Sequence, residues 1–460
     1  MPNRSTDALF QLIHSLQKQE KRNFKLYVKR NSSNEDMKVI QLFDALEGMN
    51  EYDEEALLKK ASSLKKQQLS NTKAHLYKQV LASLRLLENK NIDIQLHEQL
   101  DNARILYNKG LYLQSLKVLD KIKETAKANN QISLLVQVLF LEKKIESLHI
   151  TRSLKDRATQ LITEADDVND HLIRITKLSN LSLQLYSWYI NNGHARNEKD
   201  EIEIENYFKS YLSDDLKKAN DFYAKLYLYQ SYCWYAFIRQ DFIMYYRYTQ
   251  HWVDLFHQER FMIEIETASY IKGLHNLLNA HFTVRNYSKF EKNLKEFEAF
   301  AISGIVKQND NNRIQVFVYL YIAKINQHFL YGTFAEGVLM VPTITEKLSE
   351  FQLHLDRHRI LVFYYKIASL YFGAGEFGNS IDFLNKIINW KVDLRNDLQC
   401  YARLLHLIAH YELGNFDLME YLIKSVYRFM AKMENLSLVE EEMFKFLRKS
   451  FHLAPKLLKP

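Results

Sequence analysis

Few residue spacings in this chain could do chemistry, and each lacks a partner. His354/His358 and His406/His410 stand at i, i+4, on one face of a helix, where two imidazoles can share a metal ion. A metal needs further ligands, but Asp356 lies on a different face from the first pair and no Glu completes H-E-x-x-H. No metal site is expected. The segment Gly373-Ala-Gly375-Glu-Phe-Gly378 matches G-x-G-x-x-G, and Asp393 lies twenty residues after its start. A dinucleotide fold sets such glycines between a short strand and a helix. Here thirteen residues of helical apolar spacing, Ile360–Phe372, come first. The glycines are therefore read as a corner between helices, and no cofactor is expected. The chain has no G-x-S-x-G turn and no Walker-type phosphate loop, so it is expected not to be an enzyme.

One cluster points to nucleic acid. Lys18, Lys21, Arg22, Lys25, Lys29 and Arg30 lie close together, and Lys18, Arg22, Lys25 and Lys29 share a helix face that can track phosphates. Ser70-Asn-Thr-Lys73 opens a following helix with groups able to touch bases. Glu20 interrupts the cluster, and residues 62–69 form a linker without Gly that is long for a helix-turn-helix. Residues 1–90 carry 16 Lys and Arg against 11 Asp and Glu, a balance of +5 within a net charge of +7. That excess suits an acidic partner, or equally a solvated lysine-rich surface.

The elements that must position these groups are helices. Apolar residues recur at three- and four-residue spacing, as in Leu9, Leu12, Ile13, Leu16 and in Leu76, Val80, Leu84, Leu87. The 460 residues are 47% hydrophobic and 25% charged, the balance of a folded chain, yet include only 4 Pro and 11 Gly. Pro342 is the sole proline away from the ends. So few turn-formers exclude sandwiches, barrels and glycine-rich α/β enzymes. An all-α fold is expected. Cys233 and Cys400 have no framework spacing, which suits a reducing compartment without disulfides. The N-terminus lacks an apolar signal region, and the longest apolar run, Val316–Ala323, has eight residues. No membrane span is expected, and the location expected is cytoplasmic.

An internal repeat orders the helices. Six times an aromatic is followed five residues later by another: Tyr107/Tyr112, Phe237/Phe242, Phe282/Tyr287, Phe329/Phe334, Phe372/Phe377 and Tyr411/Phe416. Gly110, Gly332, Gly375 and Gly414 stand two residues before the second ring, with Gln240 and Arg285 in the other two copies. From Phe242 to Phe416 the second rings are 45, 47, 43 and 39 residues apart, and the 130 residues between Tyr112 and Phe242 leave room for two degenerate copies. Such a motif reads as a helical corner, the Gly in the left-handed region and the two rings in the core. Each helix pair leaves an apolar face, so neighbours must stack.

These units resemble tetratricopeptide repeats. Ala368, Gly375, Phe377 and Ser380 fall at that family's small, Gly, aromatic and small positions, as do Ala103, Gly110, Tyr112 and Ser115. The period is longer than the family's 34 residues and the terminal Pro is absent; Leu278/Phe290 and Leu407/Met419 occupy small positions in two copies. The resemblance implies an α-solenoid, a superhelical stack of antiparallel helix pairs. Residues 1–92 would form a mildly basic N-terminal helical domain or cap, 93–430 the repeats, and 431–460 a capping helix and short tail. In 1–92, helices are expected at about 6–17, 19–30, 35–47, 53–61 and 70–89, with Thr6 or Ser5 and Asp53 as N-caps. Asn191–Glu205, polar and acidic, is expected as a loop or frayed helix start, solvated.

In that architecture the first helix of each pair lines a concave wall. The wall-facing residues would be Tyr227, Gln230, Trp234; Lys272, His275, Asn279; Tyr319, Ile322, Asn326; Val362, Tyr365, Ser369; and Tyr401, Leu404, Ile408. Rings beside amides suit an extended or helical peptide. The function expected is that of a non-enzymatic protein- or peptide-binding adaptor or scaffold. The alternative is a transcription- or RNA-associated regulator, its N-terminal domain on nucleic acid and its repeats sensing a ligand.

Overall fold

A computed structural model describes residues 7–30, 34–61, 64–88, 91–149, 156–195, 197–218, 220–352, 354–390 and 396–431, with Glu442, Lys445 and Phe446. Among the described residues every regular element is a helix, so the fold is all-α. None of these helices is long and apolar enough to cross a membrane. The chain divides into two compact units, Met1–Asn169 and Asp170–Pro460.

The first unit holds two cores. Helices α1 (Ala8–Ser15), α2 (Lys18–Arg30), α3 (Asn34–Glu47), α4 (Glu54–Lys60) and α5 (Lys66–Leu87) bury Ile13, Phe24, Leu42, Phe43, Leu46 and Leu76. Asp53 caps α4, accepting from the Glu55 and Ala56 amides. At α1 the cap is Asp7, which accepts from the Phe10 amide; Thr6 and Ser5 lie outside the described residues. A carboxylate there both satisfies an orphan N–H and faces the positive end of the helix dipole. Helix α5 starts four residues before the expected Ser70, so Thr72 sits inside it and donates to the Gln68 carbonyl at 2.9 Å.

The second core of this unit lies between α6 (Ile92–Asn108), α7 (Tyr112–Ala128), α8 (Ile132–His149) and the start of α9 (Arg157–Asn192). Glu142 is fully buried beside it. Lys123 Nζ lies 2.8 Å from Glu142 Oε2, and the Arg157 guanidinium bonds Oε1. Lys123 and Lys127 also reach Glu164, at 3.0 and 2.6 Å. Burial raises the Glu164 carboxyl, but hydrogen bonds from Lys127 and Lys123 outweigh it and hold the group below its usual range. A carboxylate without water persists here because cations from two neighbouring helices meet it.

The second unit takes the rest of α9 and continues through α10 (Glu198–Tyr211), α11 (Asp214–Lys217), α12 (Phe222–Ile238), α13 (Phe242–Gln258), α14 (Met262–Ile265) and α15 (Thr267–Thr283). Then come α16 (Tyr287–Ala301), α17 (Gly304–Lys307), α18 (Asp310–Tyr331), α19 (Phe334–Val338) and α20 (Val341–Glu350). The last are α21 (Arg357–Gly373), α22 (Phe377–Ile388), α23 (Asn396–Glu412) and α24 (Phe416–Met430). Helices joined by a corner pack side by side, and α12/α13, α15/α16, α21/α22 and α23/α24 are such pairs. After α18 the partner is broken: α19 has five residues, and Pro342 occupies the first turn of α20, where its missing N–H costs nothing.

Every one of the six motif positions is a left-handed corner. Gly110, Gln240, Arg285, Gly332, Gly375 and Gly414 have φ of 75°, 58°, 53°, 71°, 79° and 74°. At each, the next amide reaches back over the helix end: Leu111 to the Leu106 carbonyl at 3.0 Å, Asp241 to Ala236 at 2.9 Å, Asn286 to His281 at 2.9 Å. Thr333 bonds His328 at 3.1 Å, Glu376 bonds Tyr371 at 2.8 Å and Asn415 bonds His410 at 3.0 Å. These are Schellman closures, which satisfy the last carbonyls of a helix. A seventh, at Asn130 (φ 55°), joins α7 to α8. The small positions recur as one contact, Ser115 Oγ donating to the Ala103 carbonyl at 2.8 Å and Ser380 Oγ to that of Ala368 at 2.9 Å.

Three expectations need correction. The corner rings stand at the margin of the core: eight of the twelve pack against it, but none is fully buried, and Tyr287 is 44% exposed. Four pairs touch across their corners, with ring centroids 5.2–6.0 Å apart. Between Tyr112 and Phe242 the chain builds α8, a single 36-residue α9, α10 and α11, in place of two further units of the period. Most of Asn191–Glu205 is helical or bound. His194 Nδ1 lies 2.7 Å from the Phe237 carbonyl, and the Ala195 amide donates to Ile238 at 2.8 Å. These are terminal carbonyls of α12, which need partners, so His194 and Ala195 are tied down, while most of the segment's described residues are exposed, in keeping with the expected solvation. The expected C-terminal helix and tail, 431–460, lie outside the described residues apart from Ala431, Glu442, Lys445 and Phe446.

Candidate functional site

In the second unit, α9, α12, α15, α18 and α21 turn one face each toward a cleft of about 400 Å³. Helix α12 supplies Tyr227, Gln230 and Trp234, whose three- and four-residue spacing puts them on one stripe. Tyr186 of α9 closes on Trp234 with centroids 4.8 Å apart, and Tyr319 of α18 forms part of the lining. His275 stacks on Tyr319 at 4.3 Å and 25°. Trp252 of α13 lies beneath, 2% exposed, its indole Nε1 without a hydrogen-bond partner. Gly273, a costly residue in mid-helix, is explained by that indole: a Cβ there would lie 3.0 Å from Nε1.

Two cations enter the cleft. Lys272 Nζ lies 5.0 Å from the Tyr319 ring centroid and 5.8 Å from that of Trp234; Arg359 Cζ is 5.9 Å from the Tyr319 centroid. Such distances allow cation–π attraction. No Asp or Glu lines the cleft among the described residues. Burial pushes the Lys272 ammonium down to about 8, with Arg359 adding to the effect, and Lys366 is lowered to about 8 by burial. His275 is held well below its usual value by burial and by Lys272, Lys366 and Arg359, and so is neutral. Arg359 has Asp356, the α21 N-cap, at 3.3 Å. The cleft thus offers rings, an amide and positive charge.

Of the wall residues read from the sequence, Tyr227, Gln230, Trp234, Lys272 and Tyr319 line this cleft. His275 sits behind Tyr319. Asn279 is hydrogen-bonded to Tyr245, and Asn326 is buried, accepting from Lys366 Nζ at 2.6 Å; both amides are spent inside the fold. Tyr365 is half-buried against the core of α18–α22, and Tyr401 is 38% exposed; neither lines the cleft. Tyr186 and Arg359 were not legible: α9 carries no corner from which to count, and Arg359 precedes the expected wall residue Val362 by three positions, almost one turn.

The basic cluster lines a second cleft, of about 470 Å³ in the first unit, made by Lys18, Lys21, Arg22, Lys25, Leu26 and Lys29 with Glu47. Lys25 is occupied, its Nζ 2.8 Å from Asp44 and 3.0 Å from Glu47; the Asp44 hydrogen bond leads in raising its pKa against burial. Lys21 reaches Glu47 at 3.4 Å. Lys18, Arg22 and Lys29 are exposed and form no ion pair among the described residues. The side chain of Arg30 lies outside those described. Lys73, expected near bases, is bonded instead to Asp7 and to the Tyr52 hydroxyl.

The remaining motifs have structural explanations. Gly375 is a corner, and Gly373 makes room for a ring: a Cβ there would lie 2.4 Å from Phe334 Cδ1. His406 and His410 meet edge-on at 4.5 Å, and burial, then His410, lowers His406 to about 4. No three His, Cys, Asp or Glu side chains converge as metal ligands among the described residues. No protein-family model matches the chain, and no curated protein matches it.

Proposed function

We propose that the protein is a non-enzymatic helical-repeat adaptor of tetratricopeptide-like, superhelical architecture that holds a protein segment or peptide in the cleft of its second unit. The observation that carries this reading is the convergence of Tyr186, Tyr227, Trp234 and Tyr319 from three helices far apart in sequence. Rings at such a site provide area with little loss of side-chain freedom, and Gln230 can bond a peptide backbone. The recurrent left-handed corners support the repeat architecture. Two buried cysteines that form no disulfide suit the cytoplasm. The test is the full chain against its Y227A/W234A/Y319A variant in capture from a random decapeptide library. The proposal requires captured peptides that the variant releases while its far-ultraviolet dichroism is unchanged. Equal capture by both chains removes the cleft from the account.

A second reading is favoured by exposed Lys18, Arg22 and Lys29 on one cleft: a regulator whose first unit contacts nucleic acid. It requires a DNA or RNA mobility shift at about 50 mM salt that fades steeply as salt rises. No shift at that salt concentration eliminates it.

A further inference from the structure

The charged groups that line the cleft of the second unit are the cations Lys272 and Arg359, while the Glu266 carboxylate behind Ser269 is taken by the Ser269 and Tyr223 hydroxyls. Lys272 lies among rings with no carboxylate in ion-pair contact among the described residues, and the one carboxylate beside Arg359, Asp356, is also committed to capping α21. Lys366 adds a third positive group around His275; its ammonium donates to the Asn326 amide oxygen and lies over the Phe329 ring at 5.4 Å. A cation drawn out of water without a counter-charge is costly, and the cost is recovered when an anion reaches it. The depressed ammonium values of Lys272 and Lys366 are consistent with that cost.

Resting on the peptide-binding reading, we infer that the segment held in this cleft is acidic: a carboxylate side chain lodges between Lys272 and Arg359 over the Tyr319 ring, and its apolar neighbours lie on Trp234 and Tyr186. Charge complementarity selects this occupant. A basic or neutral peptide would leave Lys272 unmatched and Arg359 with Asp356 alone. A nucleic acid strand needs cations in a row at the spacing of successive phosphates, whereas these gather about one ring. Carboxylate recognition needs only one such cluster, and a guanidinium beside an ammonium provides both forked and point-charge donors.

The experiment is selection of random decapeptides on the full chain and on K272M, R359M and K272M/R359M. Methionine keeps most of the side-chain area, so each variant should fold, as dichroism will verify. Peptides selected on the parent chain should be enriched in Asp and Glu beside apolar residues. Their affinity should fall about ten- to a hundredfold for each cation lost, the worth of a charge-assisted hydrogen bond. The Asp/Glu enrichment should vanish on the double variant while apolar preferences persist. Peptides captured without acidic enrichment overturn the inference and leave the peptide-binding reading standing. No captured peptide at all sinks that reading, and this inference with it. Binding of fluorescein-labelled U10 RNA that is lost in K272M/R359M also overturns it, reassigning the cations to nucleic acid.

Discussion

Replacing Gly375 by Ala isolates the energetics of the corner. Its φ is 79°, and a Cβ there meets nothing within 4 Å, so the substitution adds no clash and fills no space. The left-handed conformation costs an L-residue about 1–2 kcal/mol. Lower freedom of the unfolded chain returns about 0.4–1 kcal/mol, leaving a net loss of about 1 kcal/mol. Arg285, at φ 53° and exposed, is the mirror case: Arg285→Gly should gain about the same amount. A chain of two compact units need not unfold in one step, so the readout is native-state hydrogen exchange at the closing amides. The Glu376 amide, bonded to Tyr371 at 2.8 Å, should exchange about fivefold faster in G375A. The Asn286 amide, bonded to His281 at 2.9 Å, should exchange about fivefold slower in R285G. Unchanged exchange in G375A, or faster exchange in R285G, would refute the account of how these hairpins close.

Other consequences are testable together. Lys123→Met leaves buried Glu142 with Arg157 alone and should cost about 3 kcal/mol in urea denaturation; adding Glu142→Gln should recover part of it, and full additivity would contradict the coupling. Gly373→Ala must displace the Phe334 ring, so it should destabilise more than Gly375→Ala although its backbone is helical. His257 is raised above its ordinary 6.5, chiefly by the hydrogen bond of Glu296 at 2.6 Å. For a raised group the stabilisation is full below pH 6.5 and lost as pH rises through the higher folded value, so His257→Gln should abolish a loss of stability above neutrality. Cys233, 1% exposed with its thiol pushed up by burial, and Cys400, fully buried, should not react with Ellman's reagent until the chain unfolds.

The corners were legible because a left-handed residue flanked by rings is a local event, written within ten residues. The same rule missed Asn130, where no ring flanks the turn. It overstated the burial of the rings, since how deeply a ring is covered depends on neighbours that a local motif does not name. Helix positions in 1–92 followed from apolar spacing to within a few residues, the exception being α5, whose polar first turn, Lys66–Leu69, carries little periodic signal. The cleft was half legible. Counting back from corners located Tyr227, Trp234, Lys272 and Tyr319, because helix periodicity fixes the face. It placed Asn279 and Asn326 on the same face but not their internal partners, Tyr245 and Lys366. The Lys123–Glu142–Arg157 network was invisible because its members come from three helices.

Of the chain's four tryptophans, Trp234 lines the cleft, Trp252 lies beneath it, and Trp390 packs against the core of α18–α22. Fluorine NMR of the full chain carrying 5-fluorotryptophan, titrated with a selected acidic decapeptide, therefore tests the central claim most directly. The account predicts that the Trp234 resonance moves to a saturable end point while Trp390 stays fixed. A peptide that saturates with Trp234 unmoved would contradict it.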